Sequence, residues 1–152
     1  MLSGFRYFFR VRYGECDAQQ VVFNARYGDY VDLATFEYVR AIGYDRLLIG
    51  RGLDYQVRKQ TTEWYAPAKF DDVLEATVRP GHVGTTSFVL GVDLRIAGTP
   101  QVIATAETVY VVIDLGSRTK HPIPDEFRAG LGSGLAAVVD HAGWGERAAQ
   151  AA

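Results

Sequence analysis

Cysteine is nearly missing from this chain: Cys16 stands alone among 152 residues. No disulfide can close within it, and a reducing compartment suits it. A dominant charge is missing too. The 16 lysines and arginines against 18 aspartates and glutamates leave a net charge of -2, which argues against a general nucleic-acid binder but allows a local basic patch for a phosphorylated ligand. No segment approaches the roughly 20 apolar residues that cross a membrane. Arg6, Arg10 and Arg12 interrupt the apolar start of the chain, where a signal peptide would need an unbroken core. His82, His121 and His141 are dispersed, none at metal-ligand spacing with cysteine, and HExxH is absent, so no metal is expected. GxSxG and a Gly-rich phosphate loop are also absent. These absences leave a soluble cytoplasmic protein as the expectation.

Apolar residues are plentiful. At 48% they exclude disorder, and the length suits one domain around one core. That domain is expected over residues 1–142, with a tail over 143–152 that frays. From Phe5 to Tyr13 the pattern alternates, Phe5, Tyr7, Phe9, Val11 and Tyr13 on one side and Arg6, Phe8, Arg10 and Arg12 on the other, which predicts a half-buried strand. Asn24 reads as an N-cap. After it Tyr27, Tyr30, Val31, Ala34, Tyr38, Ala41 and Ile42 make one helical apolar stripe, and Gly43 reads as the C-cap. Leu33 and Phe36 fall on the polar side, a hint of a subunit contact. A short helical turn is expected over Tyr44 to Ile49, then strands over Asp54–Tyr65, Val73–Arg79, Thr85–Ile96 and Gln101–Ile113, separated by turn residues at regular intervals. A last helix is expected over Asp125–Val139, weakened by Gly130, Gly132 and Gly134. One long helix followed by strands calls for an α+β fold, an antiparallel five-stranded sheet wrapped around a central helix. Its open edges invite pairing with a second copy.

The chemistry is expected between the first strand and the long helix. Asp17 precedes a helix start whose backbone N–H groups are free to hold an oxyanion. A carboxylate there can attack an acyl carbon or take a proton from water, although a capping aspartate is the simpler role. Asn24 could cap, orient a ligand, or both. Glu15 reads as solvated. Cys16 has no histidine nearby in sequence to activate it, so it reads as a small hydrophobe. Arg118, Lys120 and Arg128 form a modest basic patch with His121, either a solvated loop or a grip on phosphates.

The stretch from Tyr13 to Arg40 resembles the active-site region of the hotdog-fold acyl-CoA thioesterases, the 4-hydroxybenzoyl-CoA thioesterase and YbgC-like group. Tyr13, Asp17, the pair Val21 and Val22, Phe23 and Tyr27 match that group's pattern in order. Glu63 to Leu74, Ala104 to Glu107, and Pro122 to Asp125 are similar to further family segments, so the resemblance covers about residues 5 to 130. It implies hydrolysis of an acyl-CoA thioester with Asp17 as nucleophile or general base. The helix start near Phe23 and Asn24 would serve as oxyanion hole. Gln20, Val22, Phe23, Asn24 and Tyr27 would contact substrate, with Thr61 and Thr62 as further candidates and Arg118, Lys120 and Arg128 on the CoA phosphates. It implies no cofactor beyond CoA in the substrate, and a homodimer joined through its sheets, paired into a dimer of dimers. Two departures stand out. Gln20 replaces a common glycine, and Asn24 replaces a histidine frequent in YbgC-like members. A non-catalytic acyl-CoA binder is the alternative. A hotdog dehydratase is disfavoured because no histidine lies in the loop or long helix.

Overall fold

The computed structural model describes residues 4–151; residues 1–3 and Ala152, the outer ends of the expected domain and tail, lie outside the described residues. Strand β1 spans Phe5–Arg10, helix α1 Tyr27–Ile42, α2 Tyr44–Leu47, β2 Leu53–Trp64, β3 Val73–Val83, β4 Ser87–Ile96 and β5 Val102–Asp114. Helix α3 follows over Asp125–Gly132, β6 over Ala137–Asp140 and α4 over Trp144–Ala151. The sheet order is β2-β5-β4-β3-β1-β6.

The period-two pattern builds the sheet's inner face. Phe88, Leu90, Val92 and Leu94 of β4 are buried, as are Leu74, Ala76 and Val78 of β3, while the intervening Glu75, Thr77, Asp93 and Arg95 face outward. Helix α1 lays Tyr27, Tyr30, Val31, Ala34 and Tyr38 into the same core. Thr35, also buried, donates its hydroxyl to the Val31 carbonyl (2.9 Å) and accepts from the Tyr110 hydroxyl (2.9 Å), so no polar atom of that pair is stranded. Gly43 ends the helix as expected, at φ 125°, with its N–H on the Val39 and Arg40 carbonyls.

Several expectations need correction. The sheet has six strands and is mixed, not five and antiparallel: β6 runs parallel to β1, pairing Phe5 with Ala137 through Phe8 with Asp140. Among the described residues the long helix is joined by three other α-helices. The expected helix over Asp125–Val139 stops at Gly132, and its second half becomes β6; three glycines in five residues make helix continuation expensive there, and the β-branched Val138 and Val139 favour the strand. The first strand ends at Arg10, and Tyr13–Glu15 forms a 3-10 turn that leaves Tyr13 82% exposed. Phe8, on the arginine side of β1, is buried all the same, because Trp144 stacks on it at 6.5 Å. Within the tail, Trp144–Ala151 form α4. Ala41 of the predicted stripe is exposed, and Val39 takes its place in the core.

Gly130 shows why α3 carries glycine. A Cβ there would clash with the Ile42 side chain of α1, most severely with its Cγ2 methyl. Gly130→Ala is therefore expected to lower stability by about 1–3 kcal/mol by overpacking, despite its better helix propensity. Urea unfolding checks this; an unchanged or raised midpoint would refute it.

Candidate active site

The loop from Cys16 to Phe23 is a small hairpin fastened on both sides. Cys16 and Val22 form an antiparallel bridge, the Asp17 N–H donates to the Val21 carbonyl (2.9 Å), and the Gln20 N–H donates to the Asp17 carbonyl (2.9 Å). The Val22 N–H donates to the Ala68 carbonyl (2.8 Å), and Val21 bridges Lys69. The tip is tight enough to force Gln20 to φ 64°. This gives the departure at Gln20 a physical meaning, since a glycine meets no Cβ penalty in that left-handed region. Gln20→Gly is expected to be neutral or to stabilise by up to about 1 kcal/mol, the relief of strain offset by a more flexible unfolded chain. Thermal unfolding checks it, and a clear loss of stability would contradict it.

Asp17 accepts the Gln19 N–H on Oδ1 (2.8 Å), while its Oδ2 has no partner among the described residues. The carboxylate lines a cavity of about 570 Å³ with Tyr13, Gly14, Cys16, Ala18, Gln20 and Phe70. Tyr13 and Phe70 meet edge to face at 6.0 Å and wall this space. Phe70 is held by its neighbour: Arg10 donates from Nη1 to the Asp71 carbonyl (2.8 Å) and carboxylate (3.1 Å), fixing a turn in which Asp71 sits at φ 70°. Burial, and then the negative charges of Asp17, Glu15 and Asp72, push the Cys16 thiol up, so it stays protonated and is a poor nucleophile.

Glu15 is the largest surprise of the loop. It is 9% exposed rather than solvated. Its Oε1 accepts from the Tyr30 hydroxyl (3.0 Å) and the Arg12 N–H (2.8 Å), and its Oε2 from Arg12 Nε (3.2 Å) and Nη2 (3.0 Å). Burial first, and the bond to Glu15 second, raise the Tyr30 phenol far above its ordinary value, so it remains a donor. Glu15 thus ties the hairpin to α1 from below.

Asn24 is no N-cap. Phe23 occupies that position with no side-chain cap, and Asn24–Arg26 is a 3-10 turn leading into α1. The Phe23 N–H is already taken by the Glu15 carbonyl (2.9 Å), whereas the Asn24 and Ala25 N–H groups find no acceptor among the described residues. Of the other substrate candidates, Gln20 lines the Asp17 cavity, Phe23 is 49% exposed, and Val22 and Tyr27 are buried in the core. Thr61 and Thr62 lie on β2 and do not line the Asp17 cavity, Thr61 standing in a shallow groove with Glu63, Arg79 and Glu107. Arg118 and Lys120 sit exposed on the loop after β5, whereas Arg128 donates to the Gly84 carbonyl (2.8 Å). Among the described residues no group of acids, histidines and cysteine could hold a metal, and no helix is long and apolar enough to cross a membrane. Phe70 had no signal of its own in the sequence, because its role depends on a turn made 60 residues from Arg10.

A model of the Thioesterase-like superfamily matches residues 11–131. The chain belongs to that superfamily. As a thioesterase-like chain it is 33% identical over 112 residues to the acyl-CoA thioester hydrolase YbgC of Escherichia coli O6:H1, covering 72% of this chain and 82% of the relative. It is 26% identical over 129 residues to the acyl-CoA thioesterase YbgC of Haemophilus influenzae, covering 84% and 93%. The solved 1,4-dihydroxy-2-naphthoyl-CoA thioesterase Slr0204 from Synechocystis superposes with a TM-score of 0.75 at 21% identity, covering 84% of this chain and 95% of that one. The likeness to YbgC agrees with the family read from Tyr13, Asp17 and Tyr27, and the superposition agrees with the helix-wrapped sheet.

Proposed function

We propose that this thioesterase-like chain hydrolyses acyl-CoA thioesters to the free acid and CoA, with Asp17 as its catalytic carboxylate. The observation that carries the reading is the placement of Asp17: a carboxylate in a pinned hairpin, lining a cavity, with one oxygen fixed by Gln19 and the other open. Either Oδ2 attacks the thioester carbon and water later cleaves the anhydride, or it takes a proton from the attacking water. In both routes the C–S bond breaks, and the CoA sulfur leaves as a thiolate that gains a proton. The free N–H groups of Asn24 and Ala25 are the donors best placed by sequence to meet the carbonyl oxygen, since that of Phe23 is occupied. Tyr13 and Phe70 wall the acyl side. Arg118 and Lys120 carry the proposed phosphate grip together with Arg128, whose guanidinium is held to the Gly84 carbonyl. The protein acts as a homodimer, paired into a dimer of dimers, whose partner brings Thr61 and Thr62 to the site, and it works in the cytoplasm without a cofactor.

The test is thiol release from a panel of aliphatic and aromatic acyl-CoAs, with wild type and Asp17→Asn in parallel. Turnover by wild type that is lost in the variant supports the reading and ranks the acyl groups. Binding of acyl-CoA with no turnover by either protein would favour a binding module instead.

A further inference from the structure

Strand β6 pairs with β1 as far as Phe8, and the residue after it, His141, is fixed there twice. Its N–H donates to the Phe8 carbonyl (2.9 Å), and its ring stands edge to face on Tyr7 at 5.2 Å. The Tyr7 hydroxyl lies 3.1 Å from His141 Nδ1. Burial first, then the charge of Glu37, holds the Tyr7 phenol above its ordinary value, so it keeps its proton. Among the described residues it has no other acceptor, so it donates to Nδ1. A neutral imidazole then carries its own proton on Nε2, an unspent donor on an exposed ring. Beside it opens a cavity of about 310 Å³ between β1, the turn that holds Glu15, and α1. It shares no lining residue with the Asp17 cavity. Its floor is apolar: the rings of Tyr7 and Phe9 stack at 5.2 Å, Phe9 meets Tyr30 at 4.8 Å, and Leu33, 41% exposed, forms the lip. Arg12 supplies a second donor. Its Nε and Nη2 are spent on Glu15, but Nη1 finds no acceptor among the described residues.

We propose that this cavity binds a small monocarboxylate, its oxygens held by His141 Nε2 and Arg12 Nη1 and its apolar body laid against Phe9 and Leu33. The local charge sets the class. Glu15 is saturated by its bonds from Arg12 and Tyr30, and Glu37 is answered by Arg40 at 3.6 Å. A guanidinium already shared with Glu15, next to a neutral imidazole, balances one further negative charge at most; a phosphate dianion would face two carboxylates with too little cation. A fastening between β6 and β1 needs only the His141 backbone and Nδ1. It does not account for two outward donors over an apolar hollow. His141 also lies past residue 131, where the match to the thioesterase-like superfamily ends, so half of the grip comes from outside the matched region. The site does not depend on the acyl-CoA reading of Asp17.

Histidine NMR of the full chain, titrated with sodium benzoate, tests it. The chain has three histidines, and the spectrum of His141→Phe identifies the signals of the third. Those of His141 are expected to move saturably at millimolar benzoate, while those of His82 and His121 stay. Arg12→Gln is expected to raise the half-saturating concentration about tenfold or more, the worth of one bond to a charged group. Leu33→Glu, a like charge on the lip, is expected to raise it as well. Both side chains are exposed, and thermal unfolding verifies that each variant folds. Asp17→Asn is expected to leave the titration unchanged. A still His141, an equal response to neutral benzamide, a half-saturation that neither variant moves, or loss of the response in Asp17→Asn would overturn the proposal. Inorganic phosphate that displaces benzoate at a lower concentration would overturn the ligand class.

Discussion

Asp17→Asn is expected to lower kcat for thioester hydrolysis by about 10²–10⁴-fold, the range of a lost acid–base or nucleophilic group. The substitution isolates chemistry from structure. Asparagine keeps an oxygen where Oδ1 accepts the Gln19 N–H at 2.8 Å, and the backbone bonds from Asp17 to Val21 and from Gln20 to Asp17 involve no side chain. The hairpin should therefore persist. What disappears is the negative oxygen that attacks or deprotonates water. kcat and kcat/KM should fall together, with KM little changed, because the lost interaction belongs to the transition state. Steady-state thiol release at saturating acyl-CoA measures this. Equal turnover by the variant would remove Asp17 from the mechanism and shift attention to other groups of the same cavity.

Glu15→Ala is expected to lower stability by about 3 kcal/mol, which for a chain of this size lowers Tm by about 6–12 °C. The loss comes chiefly from the two donors left without an acceptor, the Tyr30 hydroxyl inside the core and the Arg12 N–H. The guanidinium of Arg12 is 75% exposed and adds little. Two further variants separate the parts. Tyr30→Phe removes one donor and should cost about 1 kcal/mol, and Glu15→Gln retains an acceptor and should fall between wild type and alanine. Calorimetry of the three gives the order; an alanine variant as stable as wild type would show that the carboxylate holds nothing together.

The parts of the fold legible in the sequence were those whose burial repeats along the chain. Phe88 to Leu94 announces a strand, and Tyr27 to Tyr38 a helix, because each element carries its own period. Strand β6 carries none: four residues next to β1 gain their identity from a partner more than a hundred positions away. The same holds in the site. Asp17 stood out as a carboxylate ahead of a helix. The burial of Glu15 depended on Tyr30 reaching back to it, and the place of Phe70 on Arg10 gripping Asp71. Asn24 misled because asparagine before a helix usually caps, while here it lies inside a 3-10 turn whose Arg26 N–H is already taken by the Phe23 carbonyl. Local chemistry was readable, and contacts closed by tertiary folding were not.

Strand β1 has no neighbour in sequence among its partners: Phe5 lies opposite Val78 on one side and Ala137 on the other. During synthesis it must therefore wait. The hairpin around Asp17 emerges early, yet its anchors at Ala68 and Lys69 arrive about 50 residues later, and β1 is not flanked on both sides until Ala137–Asp140 are made. The nascent chain should thus hold its β3-β4-β5 meander, with β2 beside β5, well before it holds a working carboxylate. Protease protection on stalled ribosomes would reveal this as late shielding of the residues around Asp17.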